Sequence, residues 1–531
     1  MENVENERPE LSVIIPASDE AVKIPHMINL VKKLSPSIEV IVVCTGDAPI
    51  TSLLAHGSGA RVIHVGSHFT YDEGRAIGGY HARGDELLFL DERLSVPLQD
   101  LRKYVKAIKQ GWDVVITSDS GPSSQEKSTP EKLAFQLLNH LTGNADMRTG
   151  SMYKIPYALN RKAFEQVGYE SLAVPPLAQV KAIVHNLSVK WIQPSCPLVW
   201  NQAPVQTMIK NTSKILDDHM EAITLLTQGK GSRGGLLDGE RYRNILQVPG
   251  SLHLRSVYLQ EPNDWEGEGG ANTKRNGHEP AKRNNKKRIT SSQKIENRTR
   301  LSVIISVQQD EATIKRVLQQ AKRLYPKEIL VVVNGCHDRS LEFILNHSFY
   351  SMTTYVYPFP LGQDMWRAIG AQEATGDVWL FLCGDKVIRA EELQPFASAC
   401  YRDVDVALRK TNKIPLSETS EISTLVLARR YLNSLFDRHE LGVSSMNDLP
   451  FAIKQEAATT IGVHHLHIPP LAHAIALEQE LRIANSYSII DEIHVGKSRA
   501  GLKKRKQSLT SLGDYLEAFS YIKEKSLKKR T

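Results

Sequence analysis

The sequence predicts an α/β protein of two tandem domains, each a mostly parallel sheet flanked by helices. Three observations lead there. The chain repeats itself: LSVII at Leu11–Ile15 returns at Leu301–Ile305, and RAIGGYHARGDELLFL at Arg75–Leu90 returns as RAIGAQEATGDVWLFL at Arg367–Leu382. PPLA at Pro175–Ala178 returns at Pro469–Ala472, and DHMEA at Asp218–Ala222 returns as DYLEA at Asp514–Ala518. Short β-branched runs end at glycines, and those runs alternate with helical stretches, the pattern of a parallel sheet with helical crossovers. Two long copies are too few for a solenoid, which stacks at least about three short units.

Each copy opens with a buried-type strand, Leu11–Ile15 or Leu301–Ile305, followed by a helical stretch. A second strand follows, EVIVV at Glu39–Val43 or EILVVV at Glu328–Val333, closed by Gly46 or Gly335. Next come a helix carrying RAIG and a Gly-Asp turn, Gly84–Asp85 or Gly376–Asp377, which feeds the strand ELLFL or VWLFL. Ligands of such sheets sit outside the carboxyl ends of the strands. Function is therefore expected in the loops after Val43, Leu90, Val333 and Leu382. Asp85 and Asp377 read as structural members of their turns.

The expected boundaries are a first domain at 1–228, with an extension as far as 246, a basic connector at 247–300, a second domain at 301–496 and a basic tail at 497–531. Each copy closes with an amphipathic helix: Leu216, Met220, Ile223 and Leu226 share one face, as do Leu512, Leu516, Phe519 and Ile522. Such a face packs on its own domain or on a partner or membrane. Net charge is +7, but residues 272–300 and 497–531 carry +8 each, so the rest carries about −9. The folded bodies are acidic and the basic segments read as solvated, or as docking for an anionic membrane or polyanion. A specific nucleic-acid protein is not expected, because no basic, aromatic-bearing domain is visible. No apolar run approaches the ~18 residues of a membrane span, and the N-terminus, polar and acidic, lacks a secretory signal. Five scattered cysteines without a CxxC spacing suit a cytoplasmic, reducing setting.

SVIIPASDE at Ser12–Glu20, EVIVV with its small polar loop, GRAIG at Gly74–Gly78 and ARGDELLFLDE at Ala82–Glu92 come in an order and spacing that resembles family 2 glycosyltransferases. The likeness recurs over about 301–490. It implies two modules of the GT-A fold, transferring a sugar from a nucleotide-diphospho donor to an acceptor. A divalent cation, Mg2+ or Mn2+, held by an Asp-x-Asp motif after the LFL strand would neutralise the leaving pyrophosphate.

The chain departs from that pattern at its charged positions. The first copy reads Asp91-Glu92-Arg93 and the second Cys383-Gly384-Asp385, so each keeps a different half of the clamp. Asp91, with Glu92, could hold a metal, Arg93 could bind phosphate directly through its planar fork, or the residues could simply cap the strand. A thiol and the single carboxylate of Asp385 make a poor magnesium site. Where the family reads base and ribose through carboxylates, this chain has Cys44 and Thr45, or Val333 and Asn334. Arg75 and Arg367 are expected beside the pyrophosphate or in an ion pair within the domain. Asp19-Glu20 and Asp310-Glu311 read more as helix caps than as donor contacts. The acidic pair expected at a late helix start is replaced by PPLA, which has no proton-transfer chemistry. Glu165 and Glu170, or His464, His465 and His467, lie nearby, and no catalytic residue is assigned. Two functions follow: a nucleotide-sugar-dependent glycosyltransferase acting through the first copy, or a degenerate, non-catalytic binding or scaffold protein.

Overall fold

The computed structural model describes residues 8–18, 22–46, 48–66, 68–93, 95–118, 129–195, 205–247, 254–256, 300–347, 351–411, 424–487, 489, 493–494 and 501–530. Asp19, Glu20 and nearly all of the basic connector fall outside them.

In the first half, β1 (Leu11–Ala17), β2 (Ile38–Thr45), β3 (Arg61–Val65), β4 (Glu86–Phe89), β5 (Val114–Thr117), β6 (Tyr157–Asn160) and β7 (Val189–Ile192) form one sheet, ordered β3-β2-β1-β4-β6-β5-β7. Only β6 runs antiparallel to its neighbours. Every residue of β1 is buried, as a central strand covered on both faces must be. Helices α1 (Ile24–Val31), α2 (Pro49–Gly57), α3 (Tyr71–His81), α4 (Leu98–Lys109), α5 (Pro130–Leu141), α6 (Arg161–Val167), α7 (Pro175–Val184) and α8 (Val205–Thr227) complete this half. Val13, Ile15, Val42 and Leu88 face α1, α2 and α4, while Ile14, Ile41, Val43 and Leu87 face α3, α6 and α7. The two-residue period of the strands divides one continuous apolar run between two cores.

The second half repeats this plan. After β8 (Leu254–Ser256) come β9 (Leu301–Val307), β10 (Glu328–Asn334), β11 (Met352–Tyr357), β12 (Val378–Cys383), β13 (Lys386–Val387), β14 (Val406–Arg409), β15 (Phe451–Lys454), β16 (Ile483–Tyr487) and β17 (Ile493–His494). The main sheet runs β16-β14-β15-β12-β9-β10-β11-β8, the first half's order read backwards with β8 added antiparallel on the edge of β11. A small β13–β17 ribbon stands apart. Stacked rings recur too: Phe89 on Tyr157 and Phe381 on Phe451, each 4.6 Å between centroids.

Much of the repeated sequence is scaffold. Ser12 Oγ donates to Glu39 Oε1 (2.5 Å) and accepts from Gly84 N (2.8 Å); Ser302 does the same with Glu328 (2.6 Å) and Gly376 (2.8 Å). A Cβ on either glycine would press on that serine, which accounts for the Gly of both Gly-Asp turns. Asp85 and Asp377 pair with Arg8 and Arg300. The last glycine of RAIG, Gly78 or Gly370, lets its helix rest on Ile14 or Ile304.

The compact units interleave along the chain, unlike the expected division at the connector. One comprises Met1–Gly235, Pro415–His439 and Phe519–Thr531; the other Leu236–Ile414 and Glu440–Ala518. Helix Thr424–Leu435 thus belongs to the first unit, where it packs on α5 and Tyr431 Oη donates to Leu216 O of α8 (2.7 Å). The expected extension of the first domain at Gly229–Arg243 is divided between the units, Gly229–Gly235 going to the first and Leu236–Arg243 to the second. There Arg241 forms a fork with Asp514 (2.7 and 2.8 Å), both side chains fully buried, and Arg243 bridges Asp238 and Glu517. Asp238, Asp514 and Glu517 are the one cluster of three potential metal ligands among the described residues, and these two arginines already occupy it. Leu516 and Phe519 of the terminal helix are buried in protein, so that part of its apolar face is not on offer to a membrane. No helix among the described residues is long and apolar enough to cross one.

Removing one partner of a buried pair strands the other's charge, at a cost of about 3–5 kcal/mol. Asp514→Ala should lose stability on that scale in urea unfolding, whereas Arg241→Met with Asp514→Leu should recover most of it.

Candidate functional site

The carboxyl ends of β1, β2 and β4 converge in the first half. Leu90 N bonds Ile14 O, extending the β4–β1 pairing to the brink of the motif, and Asp91-Glu92-Arg93 turn out of the sheet there. Helix α3 meets them from the side, started by a Thr70–Glu73 capping box.

Asp91 is fully buried and its carboxylate is fully engaged. Oδ1 accepts from Arg93 N (3.0 Å) and Nε (2.8 Å), and Oδ2 from Arg93 Nη2 (2.6 Å) and Arg75 Nη2 (3.3 Å). Burial alone would raise this carboxyl, but the hydrogen bonds and charge of Arg93 and Arg75 hold it below the ordinary range. Arg75, also buried, reaches Asp72 as well, and Lys214 of α8 bridges Asp72 (2.9 Å) and Asp218 (3.1 Å). Arg75 is therefore the hub of an ion-pair chain inside the domain.

Glu92 faces the other way. Its Oε1 accepts from Ser18 N (2.7 Å), Ser18 Oγ (3.2 Å) and Tyr71 Oη (2.6 Å). Its Oε2 is buried without a partner, and burial, only partly opposed by those hydrogen bonds, pushes the carboxyl upward. The Arg93 guanidinium lies 4.0 Å from the centroid of the Tyr71 ring, a cation–π contact that holds it flat. Burial and the Glu92 charge push the neighbouring Cys44 thiol up to about 11, away from the thiolate form. Thr45 Oγ1 donates to Ala17 O (3.3 Å), bracing the loop. Asp91, Glu92 and Arg93 line a cavity of about 410 Å3 together with Lys23, His26 and apolar side chains of α1 and α4, among them Met27, Leu30 and Leu101.

Among the described residues, the second half has a much smaller void at this place. The void beside Cys383 is about 10 Å3. Thr313 Oγ1 donates to Gly384 O (2.6 Å), Gly384 N bonds Ser306 O (2.8 Å), and a Cβ at Gly384 would strike Asp310 Oδ2. Burial, reinforced by Asp385, raises the Cys383 thiol. Asp310 holds Gln308 N through its carboxylate, and only its carbonyl serves the helix start at Thr313 and Ile314, so the expected side-chain cap is replaced. Asn334 Oδ1 is committed to Leu361 N, and Arg367 to Asp364, Met446 O and Asn447 O. Both brace loops instead of facing a ligand.

The helix-start positions match the expectation of no carboxylate. PPLA opens α7 and the helix Pro469–Glu478, neither with an acidic residue in its first turn. Glu165 and Glu170 are exposed to solvent. Burial, with the charge of neighbouring residues, lowers His465 and His467 to about 4, and His467 Nδ1 is bonded to His464 O.

The metal expected at Asp91 does not fit this donor set. Both oxygens already accept from guanidinium groups, and Glu92 adds only one open oxygen, whereas Mg2+ wants near-octahedral oxygen ligation. A divalent ion 4 Å from a single guanidinium would meet about 8 kcal/mol of repulsion at an effective dielectric of ~20.

Residues 12–168 match the model of Glycosyl transferase family 2. This stretch is similar to family 2 glycosyltransferase domains. A similar curated protein is an undecaprenyl-phosphate 4-deoxy-4-formamido-L-arabinose transferase of Pseudomonas paraeruginosa, 26% identical over 155 residues. That alignment takes in 27% of this chain and 46% of the relative, so the chain spans less than half of that protein's length. Among solved structures, glucosyl-3-phosphoglycerate synthase from Mycobacterium tuberculosis with Mn2+, uridine-diphosphate-glucose and phosphoglyceric acid is 18% identical, with 40% of this chain and 80% of that one covered at a TM-score of 0.33. The same enzyme with Mg2+ and uridine-diphosphate covers 47% of this chain and 84% of its own, again at 18% and 0.33.

Ser18, Tyr71, Asp72 and Lys214 are the site residues that sequence reasoning missed. Tyr71 and Asp72 stand just ahead of the GRAIG motif, but nothing in their spacing marks them, and Lys214 joins from a helix far along the chain.

Asp91, held below its ordinary range, contributes stability above about pH 4 that fades as pH falls through its folded pKa. Asp91→Asn should therefore unfold at lower urea than wild type at pH 7, by about 3–5 kcal/mol. The gap should narrow below about pH 4, as the wild type protonates; a gap independent of pH would contradict the geometry.

Proposed function

We propose that the first half binds a nucleotide-diphospho-sugar in the cavity at the end of β4 and transfers its sugar, while the second half is a non-catalytic relative. The supporting observation is the contrast between about 410 Å3 beside Asp91-Glu92-Arg93 and about 10 Å3 beside Cys383-Gly384-Asp385. The family match over 12–168 gives the reaction class. Arg93 has a partly exposed guanidinium stacked on Tyr71, a group suited to phosphate oxygens when it turns from Asp91. Glu92, whose Oε2 is buried without a partner, lines the same cavity. Apolar side chains of α1 and α4 supply a dry wall for a ring. Donor base, sugar and acceptor are left to experiment.

A second reading, a degenerate binding or scaffold protein, is favoured by one feature: proline, not a carboxylate, opens α7. Sugar release from a bound donor separates the two.

Thermal-shift and calorimetric titration of the full chain with UDP-, GDP- and dTDP-sugars should give saturable binding to one of them. Arg93→Ala should weaken it about 10- to 100-fold, the loss of one or two charge-assisted hydrogen bonds. Asp385→Asn should leave it unchanged. Absence of binding for all three donors would remove the reading.

A further inference from the structure

Resting on that reading, we propose that the pyrophosphate is gripped by Arg93 in place of a divalent cation, so that nucleotide capture in the first half is metal-independent. Asp91 acts as a latch that presets the guanidinium.

The argument starts from valence. Each oxygen of Asp91 carries two donors, all from Arg93 or Arg75, in a side chain with no solvent exposure. A cation could use Asp91 only by expelling one guanidinium, and Arg75, buried and tied to Asp72, has nowhere to go. The trailing position of the motif, where a second carboxylate would close a metal clamp, is itself the arginine. Its guanidinium is about one-third exposed (34%) and forms part of the cavity wall. If Arg93 turns toward phosphate, Asp91 keeps its bond to Arg75 and is not left as a lone buried charge. The latch can open because its second cation stays behind. Lys23 and His26 also line the cavity. Glu92, unpartnered at Oε2, disfavours phosphate on its own side and so directs the anion toward Arg93.

The test is isothermal titration of the full chain with UDP, GDP and dTDP in turn, once in EDTA and once in MnCl2. One nucleotide should bind with the same Kd, within about threefold, in both buffers. Binding that needs Mn2+ would overturn this inference and leave the sugar-transfer reading standing; no binding in either buffer would overturn both. Arg93→Asp, which rebuilds a carboxylate pair, should lose binding in EDTA and regain it with Mn2+. Arg93→Lys keeps the charge but not the fork; it should bind at least about tenfold more weakly in EDTA if the first variant does not fold. Wild-type affinity in EDTA for a folded Arg93→Asp or Arg93→Lys would rule out the guanidinium grip.

Discussion

A fully buried carboxylate shared by two guanidinium groups organises the first half of this protein. Asp91 lies where a strand leaves the sheet, and a bare charge there would be ruinous in so dry a setting. Arg75 comes up from α3 and Arg93 folds back from two residues on, and between them they use every lone pair that Asp91 has to offer. The consequences spread outward. Asp72 and Lys214 extend the chain of charges to α8, and Tyr71 and Glu92 are set by the same turn. A motif that reads as a damaged metal clamp is, in three dimensions, part of an ion-pair network that takes up both oxygens of Asp91.

The two halves share a scaffold but differ at the loop after the fourth strand. The shared serine, glutamate and glycine lock the edge of the Gly-Asp turn in both, and the shared RAIG glycine seats a helix on the central strand in both. These positions have the same neighbours, so the same residues serve. The loop after the fourth strand has none of that protection. In the first half it borders a cavity of about 410 Å3; in the second, Thr313 and Asp310 pack against Gly384 and the neighbouring void is about 10 Å3.

The central strands, their mostly parallel arrangement and the Gly-Asp turns were legible from the chain alone, because buried β-branched runs and glycine turns are local signals. The fate of the charged residues was not. Whether Asp91 faces a metal, a phosphate or an arginine depends on where Arg75 and Arg93 point, and no spacing rule encodes that. Asn334 and Arg367 looked like ligand residues by register, yet each is spent on backbone groups that only the folded loops bring near. The grouping of helix Thr424–Leu435 with the first unit was equally invisible, since its amphipathic pattern names no partner.

That helix carries a consequence for ancestry. Its Tyr431 hydroxyl ends on the Leu216 carbonyl in a buried setting within the first unit. A gene cut between the two repeats would yield a leading product missing one wall and a trailing product burdened with an orphan helix. The first unit is thereby incomplete without a helix that the second repeat encodes.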